Sequence, residues 1–390
     1  MQDRGAGIHI HFPEAEFAER RSRVCAELTE RGLDALLMFR QESMYYLTGY
    51  DTFGYVFFQC LIMTADGRTT LLTRAPDLRQ AKFTSVIDDV RVWKDRAGAE
   101  PAADLKALLG ELGLKGTRLG VEYDAYGLTA ANGKALDAAL DGFAELEDAS
   151  DIVSRMRLIK SAAEIDHVRR TAELADAAWD AALQTARPGA FEGDILAAMH
   201  GAVFRGGGDD PANEFILGSG QGALMCRYFS GRRHLDAQDN LTLEFAGTYR
   251  HYHSCLFRTI RVGTSSAHQN ALYAAARDAL QACEAALVPG RTVGDVFEAH
   301  ARTLDAAGLR RYRLNACGYS LGTTFAPNWM DWPMVYDANP VVLAPGMVFF
   351  LHMIIFDDDT GTPACLGRTS LVTATGAEPL SKAGLDLPVL

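Results

Sequence analysis

The chain has 390 residues and a formal net charge of -12, which suggests two domains and argues against a nucleic-acid partner, since that calls for a basic face. Hydrophobic residues at 48% and charged residues at 23% match an ordinary soluble globular protein. No apolar run approaches the roughly 18 residues of a membrane span, and the opening segment MQDRGAGIHIHFPEAEFAERR lacks the apolar core of a signal peptide. A cytoplasmic protein is expected.

The pattern "FAERRSRVCAELTERG" predicts an amphipathic helix from about Phe12 to Arg31, with Phe17, Val24, Cys25 and Leu28 on one face and Gly32 as its stop. "LDALLMF" reads as a buried strand. "YYLTGYDTFGYVFFQCLIMTADGRTTLLTR" has strand character, with "ADGR" as a hairpin turn. "DVRVWKD" and "TRLGVEYD" read as strands, "AADLKALLGELGLKG" and "LTAANGKALDAAL" as helices. Together they make an α/β layer. A long helix then starts at Ser161, where Ser161 and Glu164 fit a capping box. Beyond it, helices such as "FEGDILAAMHGAVFRGG" and "ALYAAARDALQACEAALVPG" alternate with hairpin-like strands, an α+β pattern. The expected domains are 1–153 and 154–390.

The seven cysteines, Cys25, Cys60, Cys226, Cys255, Cys283, Cys317 and Cys365, form no C-x-x-C pair. Neither a zinc ribbon nor a disulfide framework is expected, and most of the cysteines read as reduced, buried fillers. His251 and His253 alternate on one strand face; they read as an exposed turn pair, with metal binding as the alternative.

Four segments of the second half, "MRLIKSAAEIDHVRRTAELAD", "LTLEFAGTYRHYHSCLFRT", "CGYSLGTTFAPNWMDWP" and "LAPGMVFFLHMIIF", resemble in order and spacing the pita-bread fold shared by methionine aminopeptidases, prolidases and creatinase. "GRTSLVT" resembles its last core strand, and the N-terminal layer resembles the creatinase and prolidase N-domain. Fold class is therefore expected as an α/β N-terminal domain plus an α+β pita-bread domain. The metallopeptidases of this family bind two divalent ions through two Asp, one His and two Glu. The resemblance places Glu244, Cys255, Tyr319, His352 and Gly367 at those positions, so none of the family identities is present. Such a set does not supply the oxygens that a hard ion needs. The expectation is no metal and no other cofactor, with zinc on Cys255, His352 and Glu244 as the alternative.

A buried carboxylate is costly without a partner. Glu244 therefore either bonds a nearby Arg or Tyr structurally, or faces a bound cation or an electrophilic carbon. A guanidinium or amidinium substrate brings its own positive charge, so attack on its central carbon neutralises charge and needs no metal to stabilise an oxyanion. Creatinase is the metal-free member that acts on a guanidino acid, but the acid it carries two residues beyond the second metal position is Phe257 here. "YYLTGYDTFGYVFFQC", "LGSGQGALMCRYFSGRRHL" and "LEFAGTYRHYHS" look like the ectoine-hydrolase branch of the family. That resemblance implies hydrolysis of a cyclic amidine. Glu244 would be nucleophile or base and His352 a proton shuttle titrating near working pH. Arg227 would hold the substrate carboxylate, with Arg258 as a second choice against a structural ion pair. Tyr319, Tyr252, Cys255, Trp329, Trp332, Tyr50 and Phe53 would line or cover the pocket. The resemblance further implies a homodimer with a small-molecule substrate, and functional coupling to a deacetylase. A creatinase-like amidinohydrolase and a peptidase fold without catalysis remain alternatives.

Overall fold

A computed structural model describes residues 9–227 and 231–390. Tyr228, Phe229 and Ser230, within one of the quoted motifs, lie outside the described residues. The chain divides into two compact units, Met1–Arg157 and Leu158–Leu390. The division falls beyond the expected 153/154 because the helix Asp151–Leu158 runs through that point.

In the first unit, six strands form one mixed sheet: β1 (Ala35–Met38), β2 (Cys60–Thr64), β3 (Thr69–Arg74), β4 (Asp89–Trp93), β5 (Arg118–Val121) and β6 (Glu145–Asp148), in the order β4-β3-β2-β1-β5-β6. Every position of β1 is buried. Its two-residue alternation sends Ala35 and Leu37 into one core and Leu36 and Met38 into another, so apolar layers cover both faces of the sheet. The expected "ADGR" turn joins β2 to β3, with Gly67 at φ 89°. "YYLT", expected as strand, instead lies in the helix Gln41–Thr48. That helix is buried almost all round, and a short apolar run of this kind has no period that tells strand from helix.

The second unit packs the helices Ala162–Thr185, Glu192–Arg205, Ala267–Ala286 and Val293–Ala306 with an eight-stranded antiparallel sheet. Its strands are β7 (Ile216–Ser219), β8 (Asp239–Tyr249), β9 (Tyr252–Val262), β10 (Ala316–Ser320), β11 (Asp331–Tyr336), β12 (Val348–Asp357), β13 (Thr362–Thr373) and β14 (Gly376–Pro379). The order is β11-β10-β12-β13-β9-β8-β7, with β14 on β13. The Ser161–Glu164 capping box closes reciprocally at the start of the first of these helices. The long β8–β9 hairpin turns through Arg250 and His251, at φ 50° and 66°, flanked by the pair Tyr249–Tyr252. Positive φ at both central residues matches the twist of the flanking strands. Among the described residues, no helix is long and apolar enough to cross a membrane.

Candidate active site

Strand register gathers the positions singled out in sequence. Glu244 on β8 pairs with Phe257 on β9, Phe257 with Gly367 on β13, and Gly367 with His352 on β12. Directly opposed residues share a face, and so do alternate residues of one strand. Cys255, two before Phe257, therefore joins this row. So does Tyr319 on β10, which pairs with Phe350, itself two before His352. Four strands thus present Glu244, Cys255, Phe257, Tyr319, Phe350 and His352 on one face. Phe350 carries no motif signal; strand alternation from His352 is what finds it. The rings of Tyr319, Phe350 and His352 lie 5.4–5.6 Å apart, centroid to centroid.

Glu244 is 8% exposed and, among the described residues, accepts one hydrogen bond, from the Tyr319 hydroxyl at 3.2 Å. That hydroxyl accepts in turn from the Trp329 indole N–H at 2.8 Å. Burial pushes the Glu244 carboxyl up to about 7, against the opposing pull of the Tyr319 hydrogen bond and the Arg227 charge. A carboxyl poised there exchanges its proton at neutral pH. Tyr319, its own ionisation disfavoured by burial and then by Glu244, stays a donor. Burial keeps the Cys255 thiol protonated, with the Glu244 charge adding to the effect.

His352 departs from expectation. Its ring is half-buried, and Nδ1 is enclosed without a hydrogen-bond partner. Burial, with smaller effects of His300 and the Arg227 charge, pushes the imidazole down to about 3. It is neutral at working pH and does not shuttle a proton by titrating there, because the enclosure disfavours the imidazolium. Arg227 is exposed, yet its charge acts on both Glu244 and His352.

Other positions are placed as follows. The Tyr252 hydroxyl donates to Glu164 at 2.8 Å, which ties the start of β9 to the helix Ala162–Thr185. Trp332 is 37% exposed. In the first unit, Tyr50 is buried and its hydroxyl donates to Gln59 at 3.2 Å, whereas Phe53 is 75% exposed. Arg258 makes no ion pair among the described residues. Its Nη1 donates to the carbonyls of Phe257 and Gly367, behind the site row. His253, expected in an exposed turn, is 1% exposed, with Nε2 accepting from the Ala212 N–H at 3.0 Å and Nδ1 bonded to Thr324 at 3.1 Å. The β-turn ends before it, so His253 belongs to the sheet.

Two family models cover most of the chain. The model of metallopeptidase family M24 matches residues 166–374, and that of the creatinase/prolidase N-terminal domain matches residues 20–159. The chain belongs to metallopeptidase family M24. An uncharacterized hydrolase/peptidase, y4tM, of Sinorhizobium fredii is 28% identical over 97% of this chain and 99% of its own. The ectoine hydrolase of Halomonas elongata is 25% identical over 96% and 97%. Among solved structures, dipeptidase PepE from Mycobacterium ulcerans superposes with a TM-score of 0.84 at 25% identity, over 97% of this chain and 99% of that one.

The M24 frame implies metal ions at the site row, and the donors present do not fit them. The row offers one carboxyl, one thiol, one phenol and one imidazole where the family has five carboxylate or imidazole ligands, and Gly367 offers no donor. A side chain at Gly367 would bring its Cβ to 2.7 Å from the Leu351 carbonyl oxygen and 3.0 Å from His352 Cα and Cβ. The tightest of these contacts is to backbone, so in this backbone a side chain at 367 requires a shift of the adjoining strand. Among the described residues, the His, Cys and carboxylate atoms that converge in a group of three lie elsewhere, at Cys283, His300 and Cys317.

Proposed function

We propose that this M24 hydrolase opens a cyclic amidinium acid of the ectoine type to an N-acetyl-2,4-diaminobutyrate, without a metal ion on the site row. The observation that carries the reading is Glu244: a single enclosed carboxyl, raised to about 7, with one neutral donor. An amidinium docked beside it would draw its pKa down and leave an ion pair in a low-dielectric site. The homology with the Halomonas ectoine hydrolase supports the substrate class.

In this reading Arg227 anchors the substrate carboxylate, Tyr319 holds Glu244 in place, and neutral His352 accepts a hydrogen bond from a ring N–H. Glu244 either takes a proton from attacking water or attacks the amidinium carbon itself. In the water route an O–C bond forms at that carbon and one ring C–N bond breaks. Both water protons end on the leaving nitrogen, giving an amide and an ammonium group with overall charge unchanged. Cys255 and Phe257 wall the site and Trp332 flanks its mouth. Tyr50 and Phe53 belong to the unit that would cover it in a homodimer. Tyr252 acts only as an anchor of β9. The acetylated product requires a deacetylase downstream.

The test incubates chelator-treated protein with ectoine, creatine and a Xaa-Pro dipeptide and follows products by NMR. Acetyl-diaminobutyrate from ectoine alone supports the reading. Dipeptide cleavage restored by manganese overturns it, as does urea release from creatine in preference to ectoine opening.

A further inference from the structure

Three side chains from distant segments meet away from the site row. Cys283 in the helix Ala267–Ala286, His300 in the helix Val293–Ala306 and Cys317 on β10 bring their ligand atoms within 4.8 Å of one another. All three are buried, at 0%, 2% and 0% exposure, inside the apolar core of the second unit. The Cys317 thiol is in hydrogen-bonding contact with Cys283, whose own thiol otherwise faces the Val296 carbonyl at 3.6 Å. Met353 from β12 sets its sulfur 3.1 Å from His300 Nδ1, and His300 Nε2 is enclosed without a partner. An apolar core has no use for an unpaired nitrogen on an imidazole that lies beside two thiols.

We propose that Cys283, His300 and Cys317 form a buried structural site for a thiophilic divalent cation of the zinc type, separate from the site row. Bonds of about 2.3 Å to sulfur and 2.0–2.1 Å to nitrogen place tetrahedral donors roughly 3.5–3.8 Å apart, so closure needs contraction of at most about an ångström. Charge favours a divalent ion. Two thiolates and a neutral imidazole around it sum to zero, which an apolar core tolerates, whereas a monovalent ion would leave a net negative charge there. Two thiol protons leave as the ion binds. His300 would bind through Nε2, with Met353 against Nδ1 on the ring's other edge, and the ion would staple two helices to β10. Enclosure this complete means loading accompanies folding.

The test produces full-length protein in zinc-supplemented medium, purifies it without chelator, and measures metal by mass spectrometry and zinc-edge X-ray absorption. The expected result is about one zinc per chain with a sulfur-rich, nitrogen-containing shell, falling about tenfold in Cys317→Ala and unchanged in Glu244→Gln. Refolding wild type with Co(II) should give a thiolate-to-metal charge-transfer band. Should Cys317→Ala fail to fold, the wild-type absorption shell and the Co(II) band decide. Folded wild type without zinc overturns the proposal, as does a chain two hydrogens lighter from a Cys283–Cys317 disulfide. Zinc kept in Cys317→Ala but lost in Glu244→Gln overturns it too, and in that case alone the metal-free reading of the site row falls with it.

Discussion

Glu122 and Glu244 are buried glutamates of different units, and the two are treated in opposite ways. Glu122, in the first unit, is fully enclosed and accepts from the backbone N–H groups of Phe39 and Arg40 at 3.2 and 3.0 Å and from the Ser43 hydroxyl. Glu244, in the second, accepts from Tyr319 alone among the described residues. Burial raises both carboxyls, but the Arg40 charge and these hydrogen bonds oppose the rise at Glu122, whereas Glu244 reaches about 7. A carboxylate that braces a fold is surrounded by donors. One left with free lone pairs on a shared sheet face is costly to the fold and available to a ligand.

The sharpest way to break this comparison is to swap each carboxyl for an amide or a methyl. Glu244→Gln keeps the shape and loses the exchangeable proton. With ectoine, kcat should fall about 10³-fold while substrate binding by calorimetry stays within about tenfold. A fall of less than about tenfold in kcat would remove Glu244 from the chemistry. Glu122→Ala should behave in reverse. Stranding two backbone N–H groups costs about 3 kcal/mol of stability in urea unfolding, with kcat of the folded enzyme unchanged.

The contrast explains what the sequence disclosed. The resemblance carried by four motifs located Glu244, Cys255, Tyr319 and His352, because each motif is a short stretch that can be matched within the sequence itself. The Ser161–Glu164 cap and the β2–β3 turn were legible because their chemistry is complete within a few neighbouring residues. Burial and its electrostatic consequences were not. His352 is neutral because of what encloses it, His253 is buried by Ala212 and Thr324, and Gln41–Thr48 is helical inside a core that erases its period. Nor does any spacing announce that Cys283, His300 and Cys317 converge, since their segments meet only through tertiary packing.

A third test uses pH. The Glu244 carboxyl titrates near 7 when folded against its ordinary 4.5, so the folded chain holds the extra proton between those values. Stability from this group is therefore lost as pH rises from about 4.5 to about 7, by roughly 3 kcal/mol, and is level beyond. Glu244→Gln should lack that decline. Urea midpoints of the two proteins, compared at pH 4.5 and pH 8, should diverge with the variant gaining at the higher pH. Parallel curves would mean that Glu244 is better compensated than one tyrosine allows.

The smallest expected effect isolates that tyrosine. Tyr319→Phe leaves the ring packed against Phe350 and His352 but removes the hydroxyl that donates to Glu244 and accepts from Trp329. Without its donor the Glu244 anion is less favoured, so its pKa moves higher and the acid limb of the pH–rate profile moves with it. The rate at neutral pH should drop about tenfold, in line with the loss of one hydrogen bond of about 1.4 kcal/mol to a charged acceptor. Activity should recover in part as pH is raised, because more of the carboxyl is then ionised. That recovery separates a donor acting through Glu244 from a ring that only fills space. A rate loss with an unmoved pH profile would assign Tyr319 to packing, and Glu244 would then stand in its cavity with its pKa set by burial and Arg227 alone.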